Sequence, residues 1–196
     1  MRQSGILMPI TCLPSQYGIG CFDKAAYEFA DFLKESGQSY WQILPLGHTG
    51  YGDSPYQCFS AFAGNPYMID LNELIAGSLL KKNECDDADF GKNPRKINYR
   101  KQYKARFPLL KKAYERSSLS YDKKYKEFLY DNEYWLNNYS LFMALKEHFG
   151  NKAWQKWNKT IKYGQEKDKY IELLNDKIDF WNFVQFIFAC QWQSLK

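Results

Sequence analysis

Two short apolar runs, Gly5 to Ile10 (GILMPI) and Tyr40 to Leu46 (YWQILPL), bracket a single amphipathic helix, and this close succession limits the fold more than any other feature. Asp23 is suited to cap that helix, and Ala26, Phe29, Ala30 and Leu33 recur at the helical period. Gly37 supplies the stop. Two apolar strands joined by one helix make a βαβ unit, and strands apolar along their whole length are expected to be buried on both faces of a parallel sheet. The fold class read from this is α/β.

After the second run the rhythm changes. Helical patterns follow at 71–81, 99–116, 121–130, 132–149 and 166–195, joined by polar loops, with Asn132 placed to cap the fourth. The stretch Phe180 to Trp192 (FWNFVQFIFACQW) is apolar nearly all round and requires burial on several sides. The expectation is a helical insertion carried on the connection after the second strand.

Composition excludes several classes of function. With 45% apolar and 18% aromatic residues in 196 positions, the chain can build a core and is not disordered. It has no apolar run of membrane-spanning length and no N-terminal stretch suited to a signal peptide, so a cytoplasmic protein without a membrane partner is expected. Five scattered cysteines with no CxxC pair argue against a disulfide framework or a zinc site and read as reduced packing residues. The net charge of +5 arises mainly from Lys and Arg crowded between 92 and 126, interleaved with Tyr99, Tyr103 and Tyr114. That pattern reads as the solvated face of helices, not as a nucleic-acid surface. Two histidines, His48 and His148, are too few for a histidine-rich metal site.

The segment of residues 50–57, GYGDSPYQ, follows the second apolar run and has little to bury. It offers tyrosines, a serine, a carboxylate and a glutamine between turn-forming glycines, which suits a loop that grips sugar at the carboxyl end of a strand. Gly50 and Gly52 allow the backbone to turn tightly there.

These residues resemble a known family. SGILMPITCLPSQYGIG, then YWQILPLGHTGYGDSPYQCFSAFAGNPYMIDL, then YSLFMALK and FVQFIFACQW are similar, in order, to the N-terminal part of the 4-alpha-glucanotransferases of glycoside hydrolase family 77. The resemblance implies a (β/α)8 TIM barrel with helical insertions, of which this chain holds the first two barrel strands. It implies a barrel start over 1–70, a helical insertion over 71–165 and a helix returning to the barrel over 166–196. It also implies transfer of alpha-1,4-glucan segments between maltodextrins or to glucose by a retaining mechanism. In such chemistry two carboxyl groups lie about 5–5.5 Å apart across the scissile bond. The family's catalytic carboxylates match no position in this chain, so a fragment is expected whose partner is the remainder of the same polypeptide. No cofactor or metal is implied.

By the same resemblance Tyr56 lies against the donor sugar, with Asp53 and Ser54 beside it and Asn65 either contacting substrate or orienting Tyr56. Tyr51 and Tyr103 resemble a second glucan-binding pair. Structural alternatives are Tyr56 as a core aromatic at the barrel rim, Asp53 as an Asx-turn residue, Asn65 with Pro66 as a turn after the loop and Tyr103 as ordinary helix surface, while Asp70 reads as a helix cap. Two other functions stay open, a non-catalytic alpha-glucan-binding module and an alpha-glucan hydrolase of the same lineage.

Overall fold

The computed structural model describes residues 2–50, 52–119 and 122–196. The chain divides into two compact units, Met1–Ser117 with Ile187–Lys196, and Ser118–Phe186.

In the first unit, β1 (Gly5–Leu7) and β2 (Tyr40–Gln42) pair in parallel with Gly5 opposite Tyr40. The helix between them, α1 (Lys24–Glu35), begins where the Asp23 side chain accepts from the Ala25 N–H and ends before Gly37, whose φ is 69°. The edge-to-face pair of Phe29 and Trp41, ring centres 5.0 Å apart, holds α1 against β2. The βαβ expectation therefore stands, but the extent and burial of its strands do not. Each strand is three residues long and largely exposed, and Ile6, Leu7 and Tyr40 face solvent. Pro9 has no N–H to give to a ladder, and the chain turns into a 3-10 turn at Ile10–Cys12. A sheet of two strands also leaves each strand with one edge unpaired by a neighbouring strand among the described residues.

Helices follow as α2 (Leu71–Ala76), α3 (Lys82–Asp86) and α4 (Tyr99–Arg116). The helix expected over 71–81 stops early because Gly77 and Ser78, the latter at φ 60°, return their N–H groups to Glu73 and Ile75. Residues Gln102, Arg106, Leu109, Leu110 and Ala113 form the buried face of α4, and its lysines lie on the other side. Lys101 pairs with Asp89 at 2.6 Å, and Lys112 and Arg116 converge on Glu84 at 3.3 and 2.6 Å. These charges contribute little stability, being open to water and salt.

The second unit contains α5 (Lys123–Asp131), α6 (Glu133–His148), α7 (Lys159–Lys162) and α8 (Lys167–Leu173). Leu141, Ala144, Leu145, Trp157, Ile161, Tyr170 and Leu174 make its core. Asn132 stands at the N-cap position without capping the backbone: its amide donates to the Phe128 carbonyl and accepts from the Trp135 indole. The single helix expected over 166–195 is two. Leu174 leaves helical geometry with φ −111° and ψ 17°, and α9 (Asn175–Leu195) opens on Asn175 and Asp176, residues that favour a helix start. From Phe180 to Phe186 every α9 residue is buried, as the apolar pattern requires.

The C-terminal turns of α9 belong to the first unit. Phe22 meets Phe188 and Trp192 there at 5.2 and 5.6 Å, and Gln191 both donates to and accepts from the Asp70 backbone. Gly64 passes so close to Phe188 that a Cβ would stand 2.2 Å from its ring. Gly64→Ala is expected to destabilise the fold by about 1–3 kcal/mol, the usual cost of overpacking a core. A thermal melt checks this, since an unchanged melting temperature contradicts the close approach.

No helix among the described residues is long and apolar enough to cross a membrane. None of the five cysteines is in a disulfide, and only Cys21 and Cys85 are buried. Cys12, Cys58 and Cys190 are exposed, so the packing role expected of the set holds for two.

Candidate functional site

The chain leaves β2 and makes an excursion that closes on itself. Gly47 bridges Gly64 and Thr49 bridges Cys58, while His48 donates to the Ala63 carbonyl and accepts from the Phe59 N–H. Asn65 then donates its N–H to Leu46 at 2.8 Å, so both ends of the excursion start from one place. The neck is short and paired. Everything beyond it, residues 50–57, forms the tip.

At the tip the backbone turns through Gly52 at φ 99° and Asp53 at φ 54°. An aspartate tolerates the left-handed region better than most residues, and glycine tolerates it freely. The Asp53 N–H donates to the Gly50 carbonyl, the Ser54 hydroxyl accepts from the Tyr56 N–H at 3.4 Å, and Gln57 returns its N–H to Ser54. Two consecutive turns therefore lift Tyr56 into solvent, where it is 72% exposed. Tyr51 lies outside the described residues.

Below the tip the protein is aromatic. The buried His48 ring meets Phe59 edge-on at 5.3 Å and lies near-parallel to Phe107 of α4 at 6.4 Å. Phe107 in turn contacts Tyr103 at 4.8 Å and Tyr67 at 6.1 Å, and Tyr67 contacts Tyr99 at 6.0 Å. Tyr103 is thus fixed at one edge of this layer and 46% exposed at the other.

The four residues expected around the donor sugar separate into two pairs. Asp53 and Asn65 share the wall of a cavity of about 130 Å³, together with Thr49 and Tyr99. Ser54 and Tyr56 stand at the tip, outside that wall. Burial raises the Asp53 carboxyl above its ordinary value. Burial, aided by the Asp53 charge, also holds the Tyr67 and Tyr99 hydroxyls high, which brings these three groups into one electrostatic neighbourhood. The Asn65 side-chain oxygen accepts from the Tyr67 N–H at 3.0 Å and starts a 3-10 turn, and the Asp70 side chain caps α2 through the Asn72 N–H. No group of three or more His, Cys, Asp or Glu among the described residues is placed to hold a metal.

Sequence reasoning missed Arg106, although the helical period that buries Gln102, Leu109 and Leu110 includes it. Its guanidinium is fully buried, donates to the Ile69 carbonyl and the Gln102 side chain, and lies 5.8 Å from the Phe90 ring centre. Gln102 reaches across to the Tyr17 carbonyl at 2.7 Å. Through Arg106 α4 grips the segment that carries Asn65 and Asp70, and through Gln102 it grips the turn at Tyr17. Desolvation lowers the Arg106 pKa, with Cys21 and Asp70 opposing the shift.

Comparison with known proteins matches this architecture. A curated 4-alpha-glucanotransferase of Clostridium butyricum is 48% identical over 96% of this chain, and one of Streptococcus pneumoniae serotype 4 is 46% identical over all of it. The chain spans 39% of the length of each. A solved amylomaltase of Streptococcus agalactiae, in complex with acarbose, superposes with a TM-score of 0.94 at 40% identity, covering 100% of this chain and 40% of that one. The family model described as 4-alpha-glucanotransferase matches residues 8–196, and the chain belongs to that family, glycoside hydrolase family 77.

Proposed function

We propose that this chain supplies the donor-side rim of a 4-alpha-glucanotransferase that moves alpha-1,4-glucan segments between maltodextrins or to glucose by a retaining mechanism. The observation that carries the reading is Tyr56, raised 72% exposed on a tip whose neck is closed by paired backbone. An aromatic face held open to solvent offers a flat apolar surface to a pyranose while its hydroxyl remains free to bond. The likeness to an amylomaltase solved with acarbose, an oligosaccharide-like ligand of that protein, supports the same ligand class here.

In this reading residues 1–70 begin a TIM barrel, 71–165 form the helical insertion and 166–196 return to the barrel. The reacting carboxylates come from the part of the family's length that this chain does not span. Ser54, Asp53 and Asn65 hold or contact the donor sugar, and Tyr51 with Tyr103 form a second glucan surface. The reaction is assigned to the cytoplasm, in keeping with five cysteines outside any disulfide.

Incubating the enzyme of full family length with maltotriose tests the activity. Maltodextrins longer than the substrate, appearing together with glucose, are expected. Maltose and glucose without longer chains would mean hydrolysis, and binding without turnover would mean a glucan-binding module.

A further inference from the structure

We propose that the groove formed by α3, the turn after it and the solvent side of α4 binds a sugar phosphate, with Arg100 and Lys104 holding the phosphate and Asp89 and Asn98 holding hydroxyls of the sugar. The site lies within the first unit and does not depend on the glucan reading, since none of its wall belongs to the tip at 50–57.

The groove has a volume of about 640 Å³, in the range of small-molecule sites, and opens to solvent. Its wall sets four cations, Arg100, Lys101, Lys104 and Lys112, against two carboxylates, Glu84 and Asp89, an excess of two positive charges. The carboxylates are already engaged. Arg116, from outside the wall, donates to Glu84 through two guanidinium nitrogens at 2.6 and 2.8 Å, Lys112 adds a contact at 3.3 Å, and Lys101 pairs with Asp89 at 2.6 Å. The bonds from Arg116 to Glu84 and from Lys101 to Asp89 hold both carboxyls below their ordinary range, so they stay ionised and paired. Arg100 and Lys104 are left over. They stand four residues apart on one helix face, where like charges repel, and their side chains have no hydrogen-bond or ion-pair partner among the described residues. The first turn of α4 holds no acidic residue to offset them. An anion bound between them removes the imbalance.

Charge and wall chemistry narrow the ligand. A phosphate monoester carries a charge of about −1.5 to −2 at neutral pH, which matches the excess, and its oxygens accept from guanidinium and ammonium donors. No aromatic side chain is among the described residues of the wall, so a nucleobase has nothing to stack on, and Glu84 and Asp89 would oppose the successive phosphates of a nucleic acid. A sugar suits the rest of the wall. Asp89 accepts from Lys101 and from the Gly91 N–H and keeps lone pairs for a hydroxyl, while Asn98, its side-chain oxygen taken by the Lys101 N–H, keeps an amide group to donate. Pro108 and Leu109 add apolar wall for the C–H face of the ring. The pair of Tyr103 and Phe107 occupies a different face of α4, as the helical spacing requires.

The test is calorimetric titration of the enzyme of full family length with glucose 6-phosphate, with inorganic phosphate, glucose and adenosine monophosphate as comparison ligands. Glucose 6-phosphate should bind saturably with a Kd of about 1 mM or tighter, and inorganic phosphate about tenfold more weakly. Arg100→Gln/Lys104→Gln should weaken glucose 6-phosphate about tenfold or more and leave glucose binding, maltotriose disproportionation and the melting temperature unchanged, because glutamine keeps helix propensity at these two exposed positions. Arg95→Gln/Lys96→Gln removes the same charge from exposed positions outside the wall and should leave glucose 6-phosphate binding intact, as should Tyr56→Ala. Equal losses in the two double variants overturn the proposal, since they would mean general attraction between charges. Wild-type affinity in Arg100→Gln/Lys104→Gln overturns it too, as does inorganic phosphate binding as tightly as glucose 6-phosphate, or adenosine monophosphate binding more tightly. The wider reading fails separately: without maltotriose disproportionation the enzyme assignment falls even if glucose 6-phosphate binds here, and with disproportionation but no glucose 6-phosphate binding only this site is lost.

Discussion

Tyr56→Ala, in the enzyme of full family length, is expected to lower kcat/KM for maltotriose disproportionation by about a hundredfold while leaving the melting temperature almost unchanged. The two halves of this result have different causes. Activity falls because loss of the ring lets the reacting sugar shift, and misplacement by about an ångström costs on the order of a hundredfold. Stability is spared because a side chain 72% exposed buries little surface and supports no core contact. Tyr103→Ala serves as the comparison, since its ring lies on α4 against Phe107. A loss of less than about threefold in turnover is expected there if it serves only the second glucan surface. Equal losses for the two variants would remove the assignment of Tyr56 to the reacting sugar.

The opposite behaviour is expected at Arg106. Arg106→Ala should cost about 3 kcal/mol or more of unfolding free energy, measured by denaturant titration, because it opens a cavity in α4's buried face and leaves the Ile69 carbonyl without its donor. Arg106→Met refills most of the volume and removes a buried charge that has no carboxylate within ion-pair distance among the described residues. Its cost should be smaller, about 1–2 kcal/mol, since apolar replacement of buried ionic groups is often tolerated. If the methionine variant were as damaged as the alanine variant, the hydrogen bond to Ile69 rather than packing would dominate. An alanine variant of native stability would contradict the role assigned to this side chain.

Arg106 also shows where sequence reading stops. Helix α4 was legible over its full length, 99–116, because its period and flanking polar residues are local signals. The same period places Arg106 inward, but lysines and arginines crowd this stretch, and a strongly basic segment reads as solvated surface. Only tertiary structure distinguishes the one cation that is buried. The tip was legible for a similar local reason: Gly52, Asp53 and Ser54 encode turns through their own backbone preferences. The cavity that joins Asp53 to Asn65 was not, because its wall gathers residues from four separate segments and Thr49 carries no mark in sequence. The strands were recognised by their apolar residues and overextended for the same reason, since apolarity does not report where Pro9 ends the ladder. The break at Leu174 was missed because an apolar residue inside a continuous helical pattern gives no warning, although Asn175 and Asp176 after it do.

The closed neck of the excursion, with Gly47 against Gly64 and Thr49 against Cys58, makes the outer residues a replaceable cassette. Substitution at the exposed positions Tyr56 and Gln57 beyond these bridges carries small thermodynamic risk, whereas Asp53 and Pro55 share a cavity wall with the scaffold. On the proposed reading, evolution or a designer can therefore retune which saccharide is grasped by editing a few codons, without renegotiating the foundation that holds the grip.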